Sequence, residues 1–93
     1  MNERLRELRK KSMSLPLQPG VYIMKNKSGA IIYIGKAKKL KNRVSSYFGS
    51  NKQHTEKVKK MVSCVYDFDY ILCDSEFEAL VLECSMIKQH SPK

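Results

Sequence analysis

Tryptophan is absent from this chain of 93 residues, and cysteine, histidine and glycine are scarce at three, two and four. Cys64, Cys73 and Cys84 are odd in number and lack Cys-x-x-Cys spacing, which argues against a disulfide framework. Each lies in an apolar stretch, so all three are expected as reduced core thiols of a cytoplasmic protein. His54 and His90 offer no paired spacing for zinc. No run approaches the roughly 18 apolar residues of a membrane span. Met1 to Ser12 lack the apolar middle of a signal peptide, so export is not expected either. The most informative shortage is of acid: Leu8 to Thr55 holds eleven Lys or Arg and no Asp or Glu.

That shortage makes the charge uneven as well as large. The formal net charge is +9, and six of the nine acids fall between Asp67 and Glu83. A basic half beside an acidic patch favours a polyanionic partner through salt-sensitive phosphate contacts. A chain this short encloses a single core. Neither an internal repeat nor a low-complexity tract interrupts it.

Residues 2 to 12 carry Leu5 and Leu8 among charges and predict a short, loosely packed helix or arm. Two prolines and a glycine make Leu15 to Gly20 an extended lead-in. Val21 to Lys25 and Ile31 to Ile34 each alternate two faces, Ile31 with Tyr33 against Ile32 with Ile34 in the second. With Asn26 to Gly29 between them they predict a β-hairpin, Gly29 taking positive φ. Gly35 ends the second strand and allows a ligand or another backbone to come close. Leu40, Val44 and Phe48 recur at helical spacing from about Lys38, with Arg43 and Tyr47 beside that stripe. A helix starting just after Gly35 would aim its amides at the strand end and favour an anion there. Gly49 to Gln53 reads as a polar loop. A second helix is expected over 54–65 with Val58, Met61, Val62 and Val65 inward. A third strand over 66–73 carries Phe68, Tyr70 and Leu72 on one face. Ser75-x-x-Glu78 has the form of a capping box. It opens a helix to about Gln89 with Phe77, Leu80, Val81, Cys84 and Ile87 inward, and Pro92 lies beyond its end. The architecture this implies is α/β: a small, mostly antiparallel three-stranded sheet flanked by helices.

Glu83 is the chemical oddity. Ala79, Leu80, Met86 and Ile87 lie three and four positions away, and a carboxylate among them needs a cation or donors to stay charged. It either reaches water from the helix rim or serves a hard cation such as Mg²⁺. Tyr22, Tyr33, Lys36, Arg43 and Tyr47 could form one polar cluster at the end of the hairpin. Strand tyrosines are ordinarily packing residues. Phosphodiester cleavage needs a base for water, a cation for the phosphate and a metal, and the chain has a candidate for each. With no His or Asp expected nearby, the base would be a tyrosine whose pKa is lowered by Lys, Arg and a metal-bound water.

Gly20-Val21-Tyr22 and Tyr33-Ile34-Gly35, followed by Lys36, Arg43 and Glu83, resemble the GIY-YIG nuclease module. The flanks narrow the likeness: Leu15-Pro16, Pro19-Gly20, Lys36-Ala37, Arg43-Val44, Ser46-Tyr47-Phe48, Glu78-Ala79-Leu80 and Ile87-Lys88 resemble the N-terminal domain of the UvrC family of bacterial excision repair. The match covers residues 15–93, a single nuclease domain within a longer protein, and leaves residues 1–14 as an arm. It implies a cut in damaged double-stranded DNA on the 3′ side of a lesion. Tyr33 is then the general base and Glu83 the ligand of one Mg²⁺ or Mn²⁺. Arg43 and Lys36 hold the phosphate, Tyr22 and Tyr47 orient water and phosphate, and Lys38, Lys39 and Lys41 add DNA contacts. UvrB would be engaged by regions outside this stretch, no membrane is involved, and the isolated domain is expected as a monomer. Val21 stands where the module's name has isoleucine. The family's closing Tyr-Asn is missing after Ser91-Pro92-Lys93, which implies weak or absent activity for this stretch. The rival expectations are a basic nucleic-acid-binding module without catalysis and a shorter nuclease of the same type that makes only the 3′ cut.

Overall fold

A computed structural model of the chain describes residues 3–49 and 54–90. The elements run α1 (Glu3–Met13), β1 (Gly20–Lys25), β2 (Ile31–Ala37), α2 (Leu40–Phe48), α3 (Glu56–Cys64), β3 (Asp67–Leu72) and α4 (Glu76–His90). The three strands form one sheet in the order β2-β1-β3, both pairings antiparallel. Most of the loop expected at Gly49 to Gln53, and Pro92, lie outside the described residues.

The hairpin forms because its turn is wired from within. The Asn26 carboxamide oxygen accepts from the Ser28 and Ala30 amides at 3.1 and 3.0 Å, and Gly29 takes φ 88°. Past the turn the register slips between Met24 and Lys25, so the expected alternation of β2 fails locally. Ile31 packs into one core and Ile32 into the other, and Tyr33 stands opposite Met24. β2 also continues beyond Gly35 to Ala37.

The interior is divided in two, not the single core expected from the chain's length, because alternation along β1 sends successive residues to opposite faces of the sheet. Tyr22 and Met24 enter the larger core with Leu40, Val44, Tyr47, Phe48 and Phe68, beneath α1, α2 and α3. Val21 and Ile23 enter the smaller core with Ile34, Cys73 and Ala79, beneath α4. On β3 only Phe68 of the expected Phe68, Tyr70 and Leu72 face is buried, because the edge strand runs out from under its cover. Val58, Met61 and Val62 of α3 are half-buried and Val65 is buried.

Three expectations are corrected here. α1 is a packed helix rather than a loose arm. Leu8 is 2 % exposed, Lys11 pairs with Asp67 at 2.9 Å and donates to the Phe68 carbonyl at 2.6 Å, and Arg4 donates to the Tyr66 carbonyl. The inner face of α4 is Ala79, Leu82 and Met86, whereas Phe77, Leu80, Val81, Cys84 and Ile87 are exposed, Phe77 by 74 %. A helix apolar nearly all round has no periodicity to choose its face. Of the cysteines only Cys73 is buried, and Cys64 and Cys84 are exposed. None of the described helices is long and apolar enough to cross a membrane.

Candidate active site

The centre of the site is set by Gly35. A Cβ there would collide with the Tyr22 ring, so a bare backbone lets the phenol lie across β2. What comes close to Gly35 is thus a side chain of the neighbouring strand, not a ligand. Tyr22 is 1 % exposed, and its hydroxyl shares a 2.6 Å hydrogen bond with that of Tyr47 from α2. The Tyr22 ring lies 6.1 Å from that of Tyr33 and 5.7 Å from that of Tyr47. The Arg43 guanidinium stands 5.9 Å from the Tyr47 ring centroid. Three phenols and a guanidinium predicted from the sequence therefore do meet. Of the three phenols, Tyr33, 39 % exposed, is the one open to solvent.

α2 holds Arg43 and Tyr47 in place through an unusual anchor. The Leu40 and Lys41 amides donate to the Gln18 and Pro16 carbonyls at 3.0 and 3.2 Å. These amides of the first turn are thereby committed, and the expected anion site at the helix N-terminus gives way to a tie between α2 and the lead-in.

Burial pushes the Tyr22 pKa far up, assisted by the hydrogen bond to Tyr47 and against the pull of Arg43. Burial likewise raises Tyr33, followed by Tyr47, while Tyr22 and Arg43 act to lower it. The lowered tyrosine expected from the sequence is therefore not supplied by the protein's own groups. Tyr47 and Tyr22 push Arg43 further toward its charged form.

An open cleft of about 680 Å³ adjoins the cluster, lined by Lys36, Lys38, Lys39, Asn42, Arg43 and Glu76 among others. Lys36 pairs in register with Val21, and Tyr33 with Met24, so the two leave β2 on opposite faces. β2 is an edge strand, and the cleft reaches both Lys36 and Arg43 round its end. Lys41 is half-buried and lies outside the cleft lining. Glu83 is half-buried on α4, beside Leu82 and near Met86, which pack on the smaller core. Its helix thus covers the face opposite the phenols, and Glu83 and Tyr33 can share a ligand only round the β2 edge. Among the described residues no three His, Cys, Asp or Glu gather as a metal cluster.

Two residues near the site escaped sequence reasoning. Glu76 contributes a carboxylate to an otherwise basic cleft. His54, expected to be remote, has its ring 6.2 Å from that of Tyr47. It lies outside α2 in sequence, where no periodicity signals proximity.

The family model for the UvrC-like GIY-YIG domain matches residues 18–93. The UvrABC system protein C of Clostridium beijerinckii is 63 % identical over 79 residues, 85 % of this chain and 13 % of that protein. The chain therefore spans about an eighth of the length of such relatives. The GIY-YIG N-terminal endonuclease domain of UvrC from Thermotoga maritima, bound to its catalytic magnesium, is 44 % identical with a TM-score of 0.82, covering 100 % of this chain and 97 % of that one. Forms of the Thermotoga domain with one tyrosine replaced by phenylalanine, each 43 % identical with a TM-score of 0.82, are likewise bound to the catalytic divalent cation.

Proposed function

This chain belongs to the family of UvrC-like GIY-YIG domains, and from that premise we propose that it is the metal-dependent endonuclease domain of a longer incision protein. The observation that carries the reading is the convergence of Tyr22, Tyr33, Tyr47 and Arg43 beside a basic cleft at the free edge of the sheet. Its substrate is damaged duplex DNA, cut on the 3′ side of the lesion. In the cytoplasm, regions outside this stretch bring in UvrB and the lesion.

Tyr33, the exposed phenol, orients the attacking water and takes its proton. Burial keeps Tyr33 protonated at neutral pH, so as it takes the proton of the attacking water it gives up its own to bulk water on its exposed side, while the adjacent Tyr47 hydroxyl holds the phenol's orientation. Tyr22, buried and bonded to Tyr47, fixes where that hydroxyl points. Arg43 and Lys36 bracket the cleft and bind the scissile phosphate from its two sides, offsetting charge as it develops. Lys38 and Lys39 add backbone contacts along the same wall.

The donor set suits one hard cation. A half-buried carboxylate with water completing the shell is how Mg²⁺ is commonly held, and Glu83 is that carboxylate. When bound, such an ion supplies Lewis-acid stabilisation to the phosphate and leaving oxygen. That the Thermotoga domain keeps its cation after a tyrosine becomes phenylalanine supports an acid, not a phenol, as the holder.

The test is Mg²⁺-supported nicking of plasmid DNA by the parent and by Tyr33→Phe. Loss of nicking in the variant with retained DNA binding is the expected result. Binding with no metal-dependent nicking in the parent would establish the rival, a basic module without catalysis.

A further inference from the structure

The loop side of α2 holds a group that the reading above does not use. His54 stands just before Thr55, which caps α3 by accepting from the Val58 amide at 3.2 Å. The His54 Nε2 lies 2.9 Å from the Ser46 carbonyl oxygen, and its ring stands 6.2 Å from the Tyr47 ring at 50°. A carbonyl oxygen only accepts, so Nε2 carries the hydrogen and, in the neutral ring, Nδ1 is left as a lone pair. That Nδ1 is buried and, among the described residues, without a hydrogen-bond partner. Leaving a buried acceptor unpaired is unfavourable, and such a group in a folded protein calls for an explanation.

We propose that His54 is a positioning residue for Tyr47, clamping the Ser46–Tyr47 backbone through Nε2 while its ring limits where the phenol can swing. The proposal rests on the role given to Tyr47 in the nuclease reading and adds to it. Ser46 is the residue immediately before Tyr47, so a bond to its carbonyl holds the peptide plane from which the Tyr47 side chain departs. The other restraints on that ring are the Tyr22 hydroxyl at 2.6 Å and the Arg43 guanidinium at 5.9 Å. His54 adds a further ring contact at 6.2 Å. A ring does this better than a polar chain, because it needs breadth to restrain Tyr47 and one donor to hold Ser46. The unpaired Nδ1 follows from the same demand: the orientation that serves Ser46 and Tyr47 leaves the second nitrogen facing buried space.

The experiment is a double-mutant cycle between His54→Leu and Tyr47→Phe, with His54→Gln as the conservative variant, which keeps a side-chain N–H donor. His54→Leu is expected to lower kcat for Mg²⁺-dependent plasmid nicking about 10-fold with KM for DNA unchanged, a typical cost for loosening a supporting contact. His54→Gln should recover most of that loss. In the Tyr47→Phe background, His54→Leu should cost little further. A metal-free readout accompanies it: in the ring NMR spectrum of the apo protein, His54→Leu should shift the Tyr47 signals and leave those of Tyr70 in place. An equal His54→Leu penalty in both backgrounds, or unmoved Tyr47 signals, overturns the proposal. If Tyr47→Phe alone nicks at the parental rate, the role of Tyr47 fails instead, and the two failures are told apart.

Discussion

The two sides of the sheet use different materials. Beneath α1, α2 and α3 lie aromatic rings and long aliphatic chains, with phenol hydroxyls at the rim. Beneath α4 lie Val21, Ile23, Ile34, Cys73 and Ala79, smaller and wholly without hydroxyls. The first side ties its helices down with ion pairs and side-chain hydrogen bonds across more than 50 residues of sequence. The second holds one helix by close packing on a small residue and leaves Phe77, Leu80, Val81 and Ile87 exposed outside it. Polar function has collected where the packing leaves room for oriented hydroxyls. The other side carries the half-buried Glu83 on a helix seated on apolar residues.

Four changes would test that contrast, and the largest effect belongs to the α4 side. Glu83→Gln should lower Mg²⁺-dependent nicking more than about 100-fold, the scale for losing a metal ligand, while circular dichroism and melting temperature stay near parental values. Parental nicking would confine the chemistry to the phenol side. Gly35→Ala should destabilise by about 1–3 kcal/mol in urea denaturation, since its methyl meets the Tyr22 ring. Tyr47→Phe should cost about 1 kcal/mol in the same assay, because it leaves the buried Tyr22 hydroxyl without its 2.6 Å partner. The smallest effect concerns α1. Burial opposes charge on Asp67, but Lys11, the Phe68 amide and Arg4 outweigh it and hold its pKa below the ordinary carboxylate value. Its contribution is therefore complete above the unfolded pKa of about 3.9 and fades as pH falls through the lower folded value. Urea midpoints between pH 7 and pH 3 should fall less steeply for Asp67→Asn than for the parent, and salt should shrink the difference, as the pair is half-exposed.

Much of this was readable in the residues because local rules settled it. The hairpin followed from alternation broken by Asn26 to Gly29. The start of α4 followed from Ser75, whose hydroxyl accepts from the Glu78 amide at 3.1 Å. The Tyr22, Arg43 and Tyr47 cluster followed from strand pairing and helical spacing. What stayed hidden depended on tertiary choice. An all-round apolar α4 gave no signal that Ala79 faces the sheet, since a helix can lie close on strands only through a small side chain. The docking of α1 relies on Lys11 and Asp67, which no periodicity connects. His54 meets Tyr47 although it lies outside the helix that carries it, and the slip after Met24 redirects Ile31 and Ile32 through backbone geometry alone.

The carbonyls of Pro16 and Gln18 that receive the Lys41 and Leu40 amides make the stretch before β1 part of the site's foundations. Sequence length is consequently not equally negotiable in the two connections flanking that strand. Extra residues between Lys27 and Gly29 would only enlarge an exposed bend. One residue added between Leu15 and Pro19 would carry those oxygens out of reach, and the guanidinium of Arg43 would lose its aim without any change to the residues that line the cleft.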